Sequence, residues 1–154
     1  MTSGASLHAS CVLLGETGVL IRGASGAGKS MLAWTLIETE LNAGRQACLV
    51  ADDRVLLSVE GGRLVARAPH KLAGLIELRG LGILRVAFAP RAIIDLIVDL
   101  SETPPPRLPD PEAQVTRLEG VVVPRLAVTQ ALAGSLVRAK LHFGAVILPP
   151  DTLP

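Results

Sequence analysis

Tyrosine is absent from this chain of 154 residues, and two Phe and one Trp bring the aromatics to 2%. Stacking on single-stranded nucleic acid needs aromatic platforms, so that class of function is set aside. The apolar residues still make up 49% of the chain, and the core must therefore be built from Leu, Val, Ile and Ala. Such a composition suits a β-rich or α/β protein whose strands are buried. Charge of one sign is also lacking: 15 Lys and Arg stand against 14 Asp and Glu, for a formal net charge of +1. No global field points to DNA, RNA or anionic lipid. Only two cysteines occur, Cys11 and Cys48, both in apolar, strand-like surroundings. They read as buried free thiols in a reducing compartment, with a disulfide as the alternative. The three histidines, His8, His70 and His142, show no metal-ligand spacing with one another. No apolar run approaches the roughly 18 residues that span a bilayer. Met1–Ser6 lacks a basic segment followed by an apolar one, so no signal peptide is expected. The expectation is a single cytoplasmic domain over residues 1–154, with neither membrane nor nucleic acid as partner.

What the chain does contain is Gly23-Ala24-Ser25-Gly26-Ala27-Gly28-Lys29-Ser30, which fits the phosphate-loop pattern G-x-x-x-x-G-K-[ST] at every fixed position. The glycines permit a tight backbone turn that aims successive N–H groups at one point. The helix expected from about Lys29 adds the positive end of its dipole. Lys29 has the reach to meet outer phosphates as a point charge, and the Ser30 hydroxyl suits Mg²⁺. Val19-Leu20-Ile21 before the loop reads as a buried strand, and Met31–Ile37 after it as a helix. The bland alternative is a Gly-rich turn capping a helix.

Around this loop the expected elements follow in order. Leu7–Leu14 reads as one strand and forms a hairpin with Val19–Ile21. The helix runs from about Lys29 to Leu41 and ends at Gly44. Ala47–Ala51 is a short buried strand, and Gly61-Gly62 joins Val55–Glu60 to Arg63–Ala66 as a hairpin. Ile93–Leu100 is the strongest later strand. Residues 103–111 hold five of the eleven prolines and are expected as an exposed loop. Thr116–Val123 returns to strand character, Val128–Phe143 reads as a final amphipathic helix, and residues 148–154 as an irregular tail.

Two acids complete the chemistry. Asp52-Asp53 leaves the end of a buried strand, 22 residues past Ser30. Carboxylates at the carboxyl end of a strand beside a phosphate loop are placed to manage a metal and an attacking group. Neighbours in extended chain point to opposite sides, so one acid can face the metal shell and the other the nucleophile. The alternative is a solvated turn. Glu77 lies in an apolar run, where burial demands a partner or a metal. Arg79 would share its face, so a structural ion pair is equally open. His8, taken alone, reads as structural or surface.

The segments His8-Ala9-Ser10, Gly23–Ser30, Val50-Ala51-Asp52-Asp53 and Ile76-Glu77-Leu78-Arg79-Gly80-Leu81-Gly82-Ile83 resemble, in order and spacing, the catalytic domain of HPr kinase/phosphorylase. The resemblance covers about residues 6 to 100. It is closest to the short alphaproteobacterial-type form that lacks the N-terminal domain, whose partner belongs to a nitrogen-related or regulatory phosphotransferase system. It implies an α/β fold with a phosphate-loop core related to the nucleotide-binding fold of phosphoenolpyruvate carboxykinase, a β-rich sheet and few helices. It also implies ATP- and Mg²⁺-dependent phosphorylation of a serine on an HPr-like phosphocarrier by a homo-oligomer. Reverse phosphorolysis and pyrophosphate as donor come with the same likeness. By it Asp52 becomes the general base, His8 an active-site residue near the transferred phosphate, and Lys29 a residue of both nucleotide binding and transfer. Gly23, Ala24, Ser25, Gly26, Ala27, Gly28, Lys29 and Ser30 cradle the nucleotide. Ser30, Asp53 and Glu77 form the Mg²⁺ environment, and Arg79 supports Glu77. The chain departs from the family in having no Gly-Arg-Asn segment before its last helix, where Val123-Pro124-Arg125-Leu126-Ala127-Val128 stands instead, and in its Pro104–Pro111 loop. A small-molecule kinase on the same core and a nucleotide-sensing regulatory module are the competing readings.

Overall fold

A computed structural model describes residues 5–144. In chain order its elements are β1 (Ala5–Leu7), β2 (Ser10–Leu14), β3 (Thr17–Arg22), α1 (Lys29–Asn42), β4 (Ala47–Ala51), β5 (Val55–Glu60), β6 (Arg63–Arg67), β7 (Leu75–Leu78), β8 (Gly82–Arg85), β9 (Ala92–Leu100), β10 (Val115–Leu118), β11 (Val121–Val128) and α2 (Gln130–Phe143). The fold is thus mixed α/β, rich in strands and carrying two α-helices among the described residues. The tail expected over 148–154 lies outside them.

The long strand β9 sits at the centre. It pairs in parallel with β3 along Gly18–Arg22 and with β11 along Arg125–Val128, and its first residues pair antiparallel with β6. Beyond β3 come β2 and then β4; beyond β6 come β5 and then β1. Because both faces of the central strands are covered, side chains alternate between two apolar cores. Val12, Val19, Ile21 and Val98 pack with Leu32 and Leu36 of α1 on one face. Cys11, Leu20 and Ile97 pack with Val55, Leu57 and Leu64 on the other. This explains why the strands read as continuous apolar runs. Both cysteines are free, and burial pushes the Cys11 thiol up to about 12.

Three expected boundaries are corrected. The strand expected over Leu7–Leu14 breaks at His8-Ala9, because its two halves serve different neighbours: β1 pairs with β5, whereas β2 pairs with β3 and β4. The strand expected over Thr116–Val123 is a hairpin, with Glu119 and Gly120 both at positive φ between β10 and β11. Finally, Val128 closes β11, and the last helix begins at Gln130. The segment Val123–Val128 that replaces Gly-Arg-Asn is therefore the second half of a strand laid along β9.

Helix α1 ends as expected. Gly44, at φ +79°, lets Gly44 N–H reach Leu41 C=O and Arg45 N–H reach Glu40 C=O, the paired bonds of a Schellman motif. Helix α2 lies beside α1 in the same direction, since the Gln130 side chain packs against Gly28 at one end and Arg138 and His142 meet Glu40 at the other. The proline-rich segment is mostly exposed, and it walls an apolar groove of about 1050 Å³ against α2.

Candidate active site

β3 and β9 are parallel, and β4 runs with them because β3 and β4 are each antiparallel to the β2 that lies between them. Their carboxyl ends therefore open on one side of the sheet, where ligands of open α/β sheets bind. The phosphate loop leaves β3 there, Asp52-Asp53 leaves β4, and α2 starts there after β11. Long-range pairing thus brings together what the sequence separates.

The loop has the geometry of an anion cradle. Gly28 is the N-cap of α1 at φ +98°, and no side chain caps the helix, so its first N–H groups stay directed at the loop mouth. A Cβ at Gly28 would also lie 2.8 Å from the Gln130 carboxamide, a second reason for glycine at this position. Lys29 is only 7% exposed, and its Nζ donates to Gly23 C=O at 2.9 Å and Ala24 C=O at 3.0 Å. A nearly buried lysine whose ammonium is held by two carbonyls, with no carboxylate among its hydrogen-bond partners in the described residues, fits an anionic ligand. The floor beneath the loop is an ion-pair cluster. Arg22, the last residue of β3, grips Asp99 of β9 with two bonds at 2.7 and 2.8 Å, and Arg125 of β11 donates to the same carboxylate. Burial opposes ionisation of Asp99, but these hydrogen bonds and charges prevail and hold its carboxyl below the ordinary range.

The two adjacent acids point apart, but not by strand alternation as expected: β4 ends at Ala51, and Asp52 and Asp53 form a bend. Asp52 is 5% exposed, and its Oδ1 accepts from Ser10 Oγ at 2.7 Å and from Ser30 Oγ at 2.6 Å. Its Oδ2 accepts the backbone N–H of Glu77 at 3.1 Å. Asp53 takes φ +69°, which Asp tolerates better than most residues, and turns outward. There its Oδ1 lies 2.7 Å from His8 Nε2, with both side chains more than half exposed. The pairing of Leu7 with Val55 brings His8 to Asp53, just after the break that splits the first strand.

Glu77 is corrected on one point. Its carboxylate is exposed, because β7 and β8 form a separate two-stranded sheet in which Ile76 and Leu78 point into the core and Glu77 points out. Arg79 is exposed as well, and no ion pair joins the two among the described residues. Nor do three His, Cys, Asp or Glu side chains gather as a metal cage among those residues. Sequence reasoning gave no role to Ser10, although it closes the His8-Ala9-Ser10 segment and puts a hydroxyl at the start of an otherwise apolar strand, and it missed Gln130, which nothing local marks.

The chain is similar to known proteins in sequence and in fold. Residues 1–130 match the family described as HPr Serine kinase C-terminal domain. The HPr kinase/phosphorylase of Limosilactobacillus reuteri (strain DSM 20016) is 38% identical over 135 residues, covering 80% of this chain and 40% of that protein. That of Geobacillus thermodenitrificans is 37% identical over 121 residues, covering 73% of this chain and 35% of that protein. The chain therefore spans well under half the length of these relatives. A solved structure of the Hpr(Ser) kinase/phosphatase from Coxiella burnetii superposes with a TM-score of 0.72 at 27% identity, covering 90% of this chain and 95% of the other.

Proposed function

The chain belongs to the family of the HPr serine kinase C-terminal domain, and from that premise we propose that it is an ATP-dependent serine kinase acting on an HPr-like phosphocarrier. The observation that carries this reading is the 2.6 Å hydrogen bond from Ser30 to Asp52. It ties the phosphate loop to a buried acid at the carboxyl end of β4, where a phosphoryl-transfer site manages its metal and its nucleophile. Gly23–Ser30 would hold the β- and γ-phosphates through backbone N–H groups, with Lys29 swinging from the Gly23 and Ala24 carbonyls to the outer phosphate. Ser30, Asp53 and Glu77 would furnish the protein side of the Mg²⁺ environment. When bound, the metal neutralises charge that develops on the transferring phosphoryl group. Asp52 accepts the proton of the incoming seryl hydroxyl, and His8, held by Asp53, stands beside the transferred group.

One observation favours a second assignment of the same residues. Asp52 touches the metal-binding hydroxyl of Ser30, while the His8–Asp53 pair is exposed to an incoming protein. In that version Asp52 serves the metal shell and the pair handles the proton. Phosphorolysis of the phosphoserine, use of pyrophosphate, a homo-oligomeric state and a cytoplasmic location extend the proposal. No helix among the described residues is long and apolar enough to cross a membrane. Incubation with Mg²⁺-ATP and an HPr-like protein from the same genome, followed by mass spectrometry, tests the reading. Phosphoserine on the carrier supports it. Tight ATP binding without transfer to the carrier would point instead to a nucleotide-sensing module, or to a small-molecule kinase if ATP is consumed with added metabolites.

A further inference from the structure

Ser10 opens β2 with its side chain fully buried, between Ala9 and Cys11, which are buried too. An Ala would fill that place without the cost of burying a hydroxyl. Among the described residues the hydroxyl has one partner, Asp52 Oδ1 at 2.7 Å. The same oxygen accepts from Ser30 at 2.6 Å, and the other carboxylate oxygen accepts from Glu77 N–H at 3.1 Å. These three donors differ in kind. Ser30 belongs to the loop that meets the ligand, so its hydroxyl is shared with whatever the loop holds. Ser10 and the Glu77 N–H belong to strands β2 and β7, outside the phosphate loop. They fix Asp52 whether the loop is loaded or empty. A single N–H at one oxygen leaves the carboxylate free to pivot about it, whereas a donor at each oxygen sets its plane.

We propose that Ser10 is the positioning residue for Asp52, holding its carboxylate in the transfer-competent orientation independently of the phosphate loop. The inference rests on the kinase reading above. Its role is preorganisation: a reacting group held in one geometry loses less free energy in reaching the transition state. Ser10 is fully buried and lies outside the phosphate loop, so its removal should act through Asp52.

The test is a double-mutant cycle read by single-turnover phosphate transfer from ATP to the carrier, with ATP affinity measured separately by calorimetry. Ser10→Ala should slow transfer about tenfold or more, the scale of one hydrogen bond to a charged group, with ATP affinity unchanged. Ser10→Thr, which keeps the hydroxyl, should recover most of the rate. In the Asp52→Asn background, Ser10→Ala should cost almost nothing, since residues acting through one group are not additive. Full transfer by a folded Ser10→Ala variant overturns the proposal, and so does an equal loss in both backgrounds. If Ser10→Ala does not fold, Ser10→Cys, which keeps the size and weakens the donor, must show the same split between rate and affinity. A parent protein that binds ATP yet transfers nothing removes the kinase reading and this inference with it, whereas an active parent with an indifferent Ser10 removes the inference alone.

Discussion

Glu40 and His142 meet at 2.8 Å across 102 positions of sequence, and with Arg138 at 3.0 Å they pin α2 to the helix that carries the phosphate loop. The Glu40 side chain is 1% exposed. Burial opposes its ionisation, but the hydrogen bonds and charges of His142 and Arg138 outweigh that and lower its proton affinity. A carboxyl whose folded-state value is depressed contributes fully above its unfolded value, and the contribution disappears as pH falls through the folded one. Stability should therefore drop below the ordinary carboxylate range. Glu40→Gln should cost about 3 kcal/mol near neutrality, as breaking a buried pair does, and should flatten that acid loss. Urea unfolding of both proteins at several pH values checks this; parallel curves would show that Glu40 is not the titrating group.

Lys29→Ala should abolish ATP binding while leaving the fold intact. The substitution forfeits two hydrogen bonds from a charged donor to loop carbonyls, each worth about 1.5 kcal/mol or more, so the melting temperature should fall by several degrees while the transition stays cooperative. Calorimetric titration with ATP and thermal melting make the comparison. A well-folded variant that binds ATP like the parent would remove the phosphate-loop assignment.

Much of this site was legible in the sequence because its strongest signals are local. The phosphate loop, the strand before it and the helix after it occupy one stretch, whereas the divergence of Asp52 and Asp53 comes from a bend with Asp53 at positive φ and not from the alternation of an extended chain. What was not legible depends on which strands become neighbours. The break at His8 follows from β1 pairing with β5 at the far side of the sheet, a choice no local pattern records. Glu77 was expected to be buried because its run is apolar, yet a two-stranded sheet has one wet face, and alternation puts Glu77 there. The Glu40 cluster joins residues on two helices, and a Glu in an amphipathic helix ordinarily reads as a solvated charge. Pro124 marked no strand, although β11 carries it opposite Val115 of the outer strand β10.

Glu77→Gln should weaken Mg²⁺-supported transfer more than it weakens nucleotide binding without metal. The exposed side chain changes while the backbone N–H that holds Asp52 stays in place. Transfer rates across a Mg²⁺ titration provide the measurement. A titration that superposes on the parent's would confine the contribution of Glu77 to its backbone.

The central claim is that Asp52 takes the seryl proton during phosphoryl transfer, and single-turnover transfer of labelled phosphate from ATP to the carrier, run across Mg²⁺ concentrations, tests it most directly. Asp52→Asn keeps the shape and removes proton acceptance, so ATP should still bind while transfer falls by about 10²–10⁴-fold, the range for a lost base. Asp53→Asn should retain transfer with a shifted Mg²⁺ requirement. Near-parental transfer by Asp52→Asn together with an inactive Asp53→Asn would contradict the account and give the proton to the His8–Asp53 pair. Normal transfer by both would leave the paired acids as a strand-end turn without a catalytic role.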